Sequence, residues 1–552
     1  MMATANRLMR ATRARLTRIL LARAALVIGL ATHGFAVHAQ ETPQATPVPP
    51  HFAVNGFEVV GAHALPAATI DATLAPYQGA SVTFARLEEA IAALKSKYRE
   101  AGIDAVNIVL PQQDISNGII KISVTEARLG KVEVMGNKYF SSDNIVRALP
   151  ALVPGETPNM DDVAAEVRMS NDNPSKQIQV TLRQGATADS ADALVRVSDE
   201  NPMQFAVIFD NTGTSDSGRD RLGLAIHDAN VFGVDHVLSA QFQTSPNKLH
   251  DVDIIGANYV IPLYSRNETL DLSAGYSNVN SGLVTTTAGA YGITGKGTTF
   301  GARLTQYLAR SEIWNQRVFA SLDWRAYKND VTLGDSGDSL VPDVTTHPLG
   351  LGYAVNYTTS KLEGEAGFTY EHNIPGGSNG SSDDFRLPGG RLNATASYQL
   401  LIYNADISSD IYQGWRLHAA LDGQATSDAL VAPEQFGAGG IDSVRGFDER
   451  AATDDRGERI TLEGITPDFG ARLINDSWQL RGVLFYDAAK LARVDPLPGE
   501  KSRLFISSRG FGARIAYSRQ ASLRLDFANV INGADLSAKS SNRLQFSAIV
   551  TF

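Results

Sequence analysis

The chain contains no cysteine. That excludes a disulfide scaffold, a thiolate nucleophile, and cysteine-based zinc or iron–sulfur sites. Beyond its N-terminal segment it also lacks any run approaching the ~18 apolar residues that a membrane helix requires. If the chain sits in a membrane it must therefore cross as a closed β-barrel, the other structure that pairs every backbone polar group in lipid. Histidine is sparse, ten in 552 residues, with no H-E-x-x-H and no close cluster. No G-x-S-x-G elbow occurs, and Gly292-Ile293-Thr294-Gly295-Lys296-Gly297-Thr298 has the wrong spacing for a phosphate loop. No catalytic residue, metal or cofactor is expected, and the chain does not read as an enzyme. Glycine is frequent, 48 residues, but without a Gly-X-Y period, so a collagen is excluded.

Positive charge is also scarce where it would matter. The chain has 49 basic and 59 acidic residues, and six arginines (Arg7, Arg10, Arg13, Arg15, Arg18, Arg23) lie in residues 1–39, which hold no acid. The remainder has 43 basic against 59 acidic residues, so no nucleic-acid partner is expected. The arginines lead into Ala24-Ala25-Leu26-Val27-Ile28-Gly29-Leu30 and close at Val37-His38-Ala39, small residues where a signal peptidase reads. Residues 1–39 are therefore expected to be a secretory signal peptide. Residues 40–51, with Pro43, Pro47, Pro49 and Pro50, read as an extended leader.

A weak repeat follows. Glu58-Val59-Val60-Gly61 recurs as Glu133-Val134-Met135-Gly136, and Gly79, Thr83 and Leu87 recur in role as Gly155, Asn159 and Val163. Thr83 is a plausible N-cap; Leu87, Ile91, Leu94 and Tyr98 share a helical face, and Gly102 is a plausible stop. Alternating Val106/Ile108/Leu110 and Ile120/Ile122/Val124 then flank a turn containing Asn117-Gly118. The spacing predicts two small α+β modules of strand, short helix, long helix, strand, strand, over 52–127 and 128–200.

From about Met203 the helical period disappears. Sixteen alternating segments are predicted, at 204–211, 221–230, 236–244, 251–261, 269–277, 298–308, 317–328, 349–358, 362–372, 391–403, 415–425, 458–468, 478–488, 505–517, 522–530 and 544–552, with 283–291 an ambiguous extra. Connections after odd-numbered segments are mostly long and those after even-numbered ones mostly short, the signature of an outer-membrane barrel over 201–552.

Several segments together resemble a known family: Pro111-Gln112-Gln113-Asp114-Ile115 with Gly118, Val124 and Glu126; Val207-Ile208-Phe209-Asp210-Asn211; Asn230-Val231-Phe232-Gly233-Val234-Asp235; and Gly439-Gly440-x-x-Ser443-Val444-Arg445-Gly446-Phe447. They look like the haemolysin secretion/activation transporters (TpsB, ShlB/FhaC/HecB type), the outer-membrane partners of two-partner secretion. The resemblance implies two periplasmic POTRA modules (β-α-α-β-β) and a 16-stranded transmembrane β-barrel. It also implies a large TpsA-like exported partner, such as an adhesin or haemolysin, that engages the modules unfolded and threads through the barrel. With no nucleotide outside the inner membrane, cargo folding outside would drive it. A barrel-assembly factor that inserts outer-membrane proteins is the alternative, and a diffusion porin is disfavoured by the modules. Family members often carry an N-terminal plug helix; four prolines exclude one between Gln40 and His51, leaving a pore that is closed by its loops or leaky.

Four sites are expected. The loop motif Val444, Arg445, Gly446 and Phe447 should fold into the lumen and pair with Asp487. By period two, Phe485, Asp487 and Ala489 share one strand face, and a carboxylate cannot face lipid. The resemblance points to the same pairing, with Ala489 standing where the family pattern has glycine, so the loop is expected slightly further from the wall. The last segment, with Phe546 and terminal Phe552 on one face, is the expected signal to the barrel-assembly machinery, and its aromatic ring would also sit at the lipid interface. Ile120, Ile122 and Val124 are expected on an exposed strand edge that cargo could extend.

Overall fold

The computed structural model describes residues 51–552 except residues 116, 188, 215–216, 250–251, 280–282, 287–288, 293–295, 309–310, 312, 329–341, 389, 535 and 537–541. The expected signal peptide and most of the proline-rich leader lie outside the described residues.

The first module runs Gly56–Val60, Ala67–Leu74, Phe84–Glu100, Val106–Val109, Ile119–Glu126, and a small accessory pair joins His51–Val54 to Gly79–Thr83. The Thr83 hydroxyl caps the long helix by accepting from the Arg86 N–H at 3.3 Å. Leu87, Leu94 and Tyr98 on its inner face are buried against Ile120, Ile122 and Val124. The second module repeats the order as Arg128–Met135, Ser142–Arg147, Met160–Asn171, Lys176–Gln184, Ser190–Asp199, with Asn159 as the equivalent cap. The repeated glycines have one cause. Gly61 and Gly136 take φ of +87° and +93°, and a Cβ on either would stand 2.2 or 2.4 Å from the carbonyl oxygen of Val124 or Val197. Only glycine fits where the first strand leaves the sheet against the last one.

One expectation fails here. Ile120, Ile122 and Val124 do not lie on an edge. Their strand is central, parallel to Gly56–Val60 on one side and antiparallel to Val106–Val109 on the other. The three side chains are 0%, 1% and 4% exposed and fill the module core. The alternation that suggested a strand was the alternation of a core strand. The available edges are Gly56–Val60 and Val106–Val109 in the first module, and Arg128–Met135 and Lys176–Gln184 in the second.

Among the described residues the barrel has sixteen wall strands, closed by antiparallel pairing of the last, Asn542–Thr551, with the first, Met203–Asp210. The eighth comprises two runs, Val344–Thr346 and Pro348–Thr358, both paired with Trp314–Tyr327. Closure leaves no edge in lipid. Side chains alternate as the pleat demands: on the thirteenth strand, Trp478–Ala492, Leu484 is 65% exposed toward lipid whereas Phe485 and Asp487 are buried inside. The tenth strand is Gln399–Tyr412 rather than 391–403. The ambiguous segment at 283–291 belongs to a hairpin, Leu283–Thr286 with Gly289–Gly292, outside the wall. Short turns such as 232–235 and 518–520 lie at the end that carries the modules, and long connections such as 374–398 and 426–455 at the other.

Candidate functional site

Residues 426–455 leave the outer end of the eleventh strand, Trp415–Ala425, and fold back into the barrel. The descent is stiffened by a short hairpin, Phe436–Ala438 with Ala452–Asp454. Gly439 and Gly440 follow with φ of +115° and +112°, and a Cβ on Gly440 would fall 2.0 Å from the Glu449 carboxylate. The chain can therefore turn sharply only with glycine there.

At the tip the Arg445 guanidinium meets Asp487 through two parallel bonds, Nε to Oδ2 and Nη2 to Oδ1, each 2.7 Å. The Arg445 backbone N–H adds a third bond to Oδ2 at 3.1 Å. The remaining nitrogen, Nη1, donates to Glu463 Oε1 at 2.6 Å. The Phe485 ring lies flat below, 3.5 Å from the guanidinium carbon, so one face of the cation rests on the aromatic π-cloud. Arg445 is 1% exposed and Asp487 0%. A fork of this geometry fixes orientation as well as distance.

The neighbours of Arg445 are secured in turn. Gly446 donates its N–H to Gln545 Oε1 at 2.7 Å, and its own φ is +94°. Val444 and Phe447, both 0% exposed, pack with Ala489, Leu491, Ile506 and Val530 of the wall. The methyl of Ala489 thus belongs to the loop's socket, and the 2.7 Å contacts show no widening at the arginine. Charged partners on other strands complete a network: Arg514 and Arg524 each reach Asp526 at 2.7 Å, and His418 reaches Glu463 at 3.1 Å. Sequence reading missed Glu463, Asp526, Arg514, Arg524 and Gln545. The available signal was a charged or amide residue in the middle of a barrel strand, which must face the lumen; Arg524-Leu525-Asp526 shows it at the strand period.

Phe546 and Phe552 lie at the barrel seam, not in the lumenal network. The Phe552 N–H donates to the Phe205 carbonyl at 2.8 Å, its ring is 75% exposed, and the Phe546 ring sits 5.4 Å from Phe209 across the seam. At the periplasmic rim the second module docks on the turn Asn230–Asp235. Lys176 forms an ion pair with Asp235, which also accepts from Asn144 at 3.0 Å and the Tyr264 hydroxyl at 2.8 Å.

Two β-α-α-β-β modules on the rim of a closed barrel, with a long loop pinned to the inner wall, define an outer-membrane transporter with its modules in the periplasm. The comparisons agree. Residues 190–488 match the family "Haemolysin secretion/activation protein ShlB/FhaC/HecB" and residues 52–127 match "POTRA domain, ShlB-type". The chain belongs to the ShlB/FhaC/HecB family of two-partner secretion transporters. It is 24% identical over 372 residues to the outer membrane transporter CdiB of Dickeya dadantii, covering 65% of this chain and 62% of that protein. It is 22% identical over 485 residues to the heme/hemopexin transporter protein HuxB of Haemophilus influenzae, covering 83% of this chain and 80% of that one. In fold it is similar to CdiB from Escherichia coli, with a TM-score of 0.73 at 18% identity over 93% of each chain. CdiB from Acinetobacter baumannii gives a TM-score of 0.66 at 15% identity, over 99% and 98% of the two chains.

Proposed function

We propose that this protein exports one large TpsA-like partner, an adhesin or a haemolysin by class, across the outer membrane. The modules receive it unfolded, by backbone pairing along their free edges, and the barrel passes it to the cell surface. The observation that carries this reading is the Arg445–Asp487 fork, which holds a long loop inside the barrel and sets the shape of the space that remains. A freely diffusing solute needs neither such a loop nor edge strands beneath it; an unfolded polypeptide can use both. The barrel-assembly machinery inserts the protein through its C-terminal strand, and outer-membrane lipids cover its outer face.

The test is deletion of this protein from its host. Loss of one large surface protein, with that protein retained in the periplasm, supports the reading. A general fall in outer-membrane proteins contradicts it and favours an assembly factor.

A further inference from the structure

Two cavities lie beside the inward loop. A cavity of 1010 Å³ is lined mainly by the fourth to seventh and tenth to twelfth wall strands, and one of 440 Å³ adjoins the first to fourth and thirteenth to sixteenth. They differ at the periplasmic end. The larger is lined there by Met169, Asp172, Asn173 and Pro174 of the second module; no described module residue lines the smaller. At its outer end the larger cavity meets Tyr327, Glu371 and Glu434.

Glu434 lies in a single 3-10 turn, Ala432–Glu434, on the descending limb of the loop. Its carboxylate accepts from Arg325 Nη1 at 2.8 Å, from the Thr346 hydroxyl at 2.8 Å and from the Tyr327 hydroxyl at 3.2 Å. Arg325 also meets Asp323 at 2.7 Å and lies 3.7 Å from Glu371. Tyr327, Val344, Phe385, Tyr398, Leu430 and Val431 close around this group as an apolar seal drawn from the wall and two outer loops. The loop is tied at several places, Asp442 to Arg524 and Asp455 to Arg391 among them, and two ties bear on the passage. Arg445 grips the thirteenth strand, and Glu434 grips the seventh and eighth.

We propose that the larger cavity is the passage for the exported chain and that the Glu434–Arg325 pair is the latch closing its outer end. This rests on the translocator reading and adds to it the route and the gate. The Glu434 side chain is 2% exposed, so without its cation the charge leaves the seal for water and takes its turn of the loop with it. The Arg445, Asp442 and Asp455 ties stay in place, so only the turn that carries Glu434 shifts, and it uncovers the passage without the loop leaving the barrel.

The pair is not symmetric. Without Glu434, Arg325 keeps Asp323 and Glu371. Without Arg325, three carboxylates face one another, and among the described residues no other cation lies within ion-pair distance of any of them. Mutual repulsion then adds to the loss of the tie. Arg325→Met should open the passage more than Glu434→Gln.

The experiment is the single-channel conductance of the purified full-length protein in planar bilayers, with heat-modifiable mobility to select folded barrels. Glu434→Gln, which keeps the side-chain volume, should raise the open fraction at least threefold, and Arg325→Met at least tenfold. Folded Glu434→Gln barrels with the conductance of the parent overturn the latch, even if Arg325→Met does not fold. An equal response of both variants overturns the three-carboxylate account of the latch. No exported partner is present in the bilayer, so failure here leaves the translocator reading standing, and a secretion defect cannot rescue the latch.

Discussion

Lys176 of the second module and Asp235 of the first periplasmic turn form an ion pair whose side chains are 0% and 1% exposed. Asp235 retains two further donors in Asn144 and Tyr264, so the lysine supplies charge balance where the other two supply hydrogen bonds. Removing only the cation strands a carboxylate at the junction, at a cost of about 3–5 kcal/mol. Lys176→Met should therefore loosen the module from the barrel rim while both remain folded. Limited proteolysis of residues 199–202 reads this directly, and cleavage at the parental rate would show that the pair does not hold the junction.

Glu166 gives the second module a pH dependence. Burial pushes its carboxyl up to about 7, although the Ala151 N–H donates to both of its oxygens at 3.0 and 3.1 Å. The folded module then binds more protons than the unfolded chain between pH 4.5 and 7, so stability falls as pH rises through that window and levels off above it. The size is below about 3 kcal/mol, because water around the incompletely buried carboxyl screens the shift. Amide exchange across Met160–Asn171, corrected for intrinsic rates, should show the loss, and Glu166→Gln should flatten it. A variant that keeps the parental slope assigns the dependence elsewhere.

Gly61→Ala and Gly136→Ala test the repeat. Each places a methyl group against a carbonyl oxygen and forces a left-handed backbone, so each should cost at least about 1–3 kcal/mol of module stability. Export should fall while the barrel keeps its heat-modifiable mobility. Parental resistance of the modules to protease in both variants would remove the explanation offered for the repeat.

The barrel was legible because closure in lipid forces a strict inside–outside alternation that the sequence must carry. The displaced tenth strand marks the limit of that signal. Leu392, Ala394, Ala396 and Tyr398 alternate like a strand, yet Ala394, Ala396 and Tyr398 are buried under outer loops, and Arg391 is held by Asp455 and the Val494 carbonyl. Conversely Asn404-Ala405-Asp406-Ile407-Ser408-Ser409-Asp410 has the composition of a turn but is barrel wall; Asp406 is paired inside with His418 at 2.7 Å. A lumen that accepts charge hides strands from composition. The Arg445–Asp487 contact could be expected because a motif and a period-two carboxylate pointed at each other. Glu434, Glu463 and Asp526 carried no local motif, and their partners lie on strands far apart in sequence. The edge assignment failed for a related reason: alternation reports burial on one face and is silent about which neighbour a strand has.

Phe552 allows the seam contact and the proposed assembly signal to be tested separately. Its backbone closes the seam through bonds with Phe205 at 2.8 and 3.3 Å, while its exposed ring is free to be recognised. Phe552→Ala keeps the backbone and removes the ring, so it should lower the amount of folded barrel in cells without changing the thermal stability of what is inserted. Parental levels of folded Phe552→Ala, with a fall only when the residue is deleted, would assign its importance to the seam alone.

The loop tie is the central claim, and a double-mutant cycle on export measures it. Arg445→Ala leaves Asp487 buried without its cation, and Asp487→Ala leaves Arg445 with Glu463 as its nearest partner, so the first should be somewhat the more severe. Export of the large partner protein, quantified at the cell surface against periplasmic retention, should fall at least tenfold in both single variants while the barrels still insert. The double variant should be little worse than Arg445→Ala, since both substitutions remove one contact. Fully additive defects, or normal export by Arg445→Ala, would contradict the claim that this pair holds the loop in its working position.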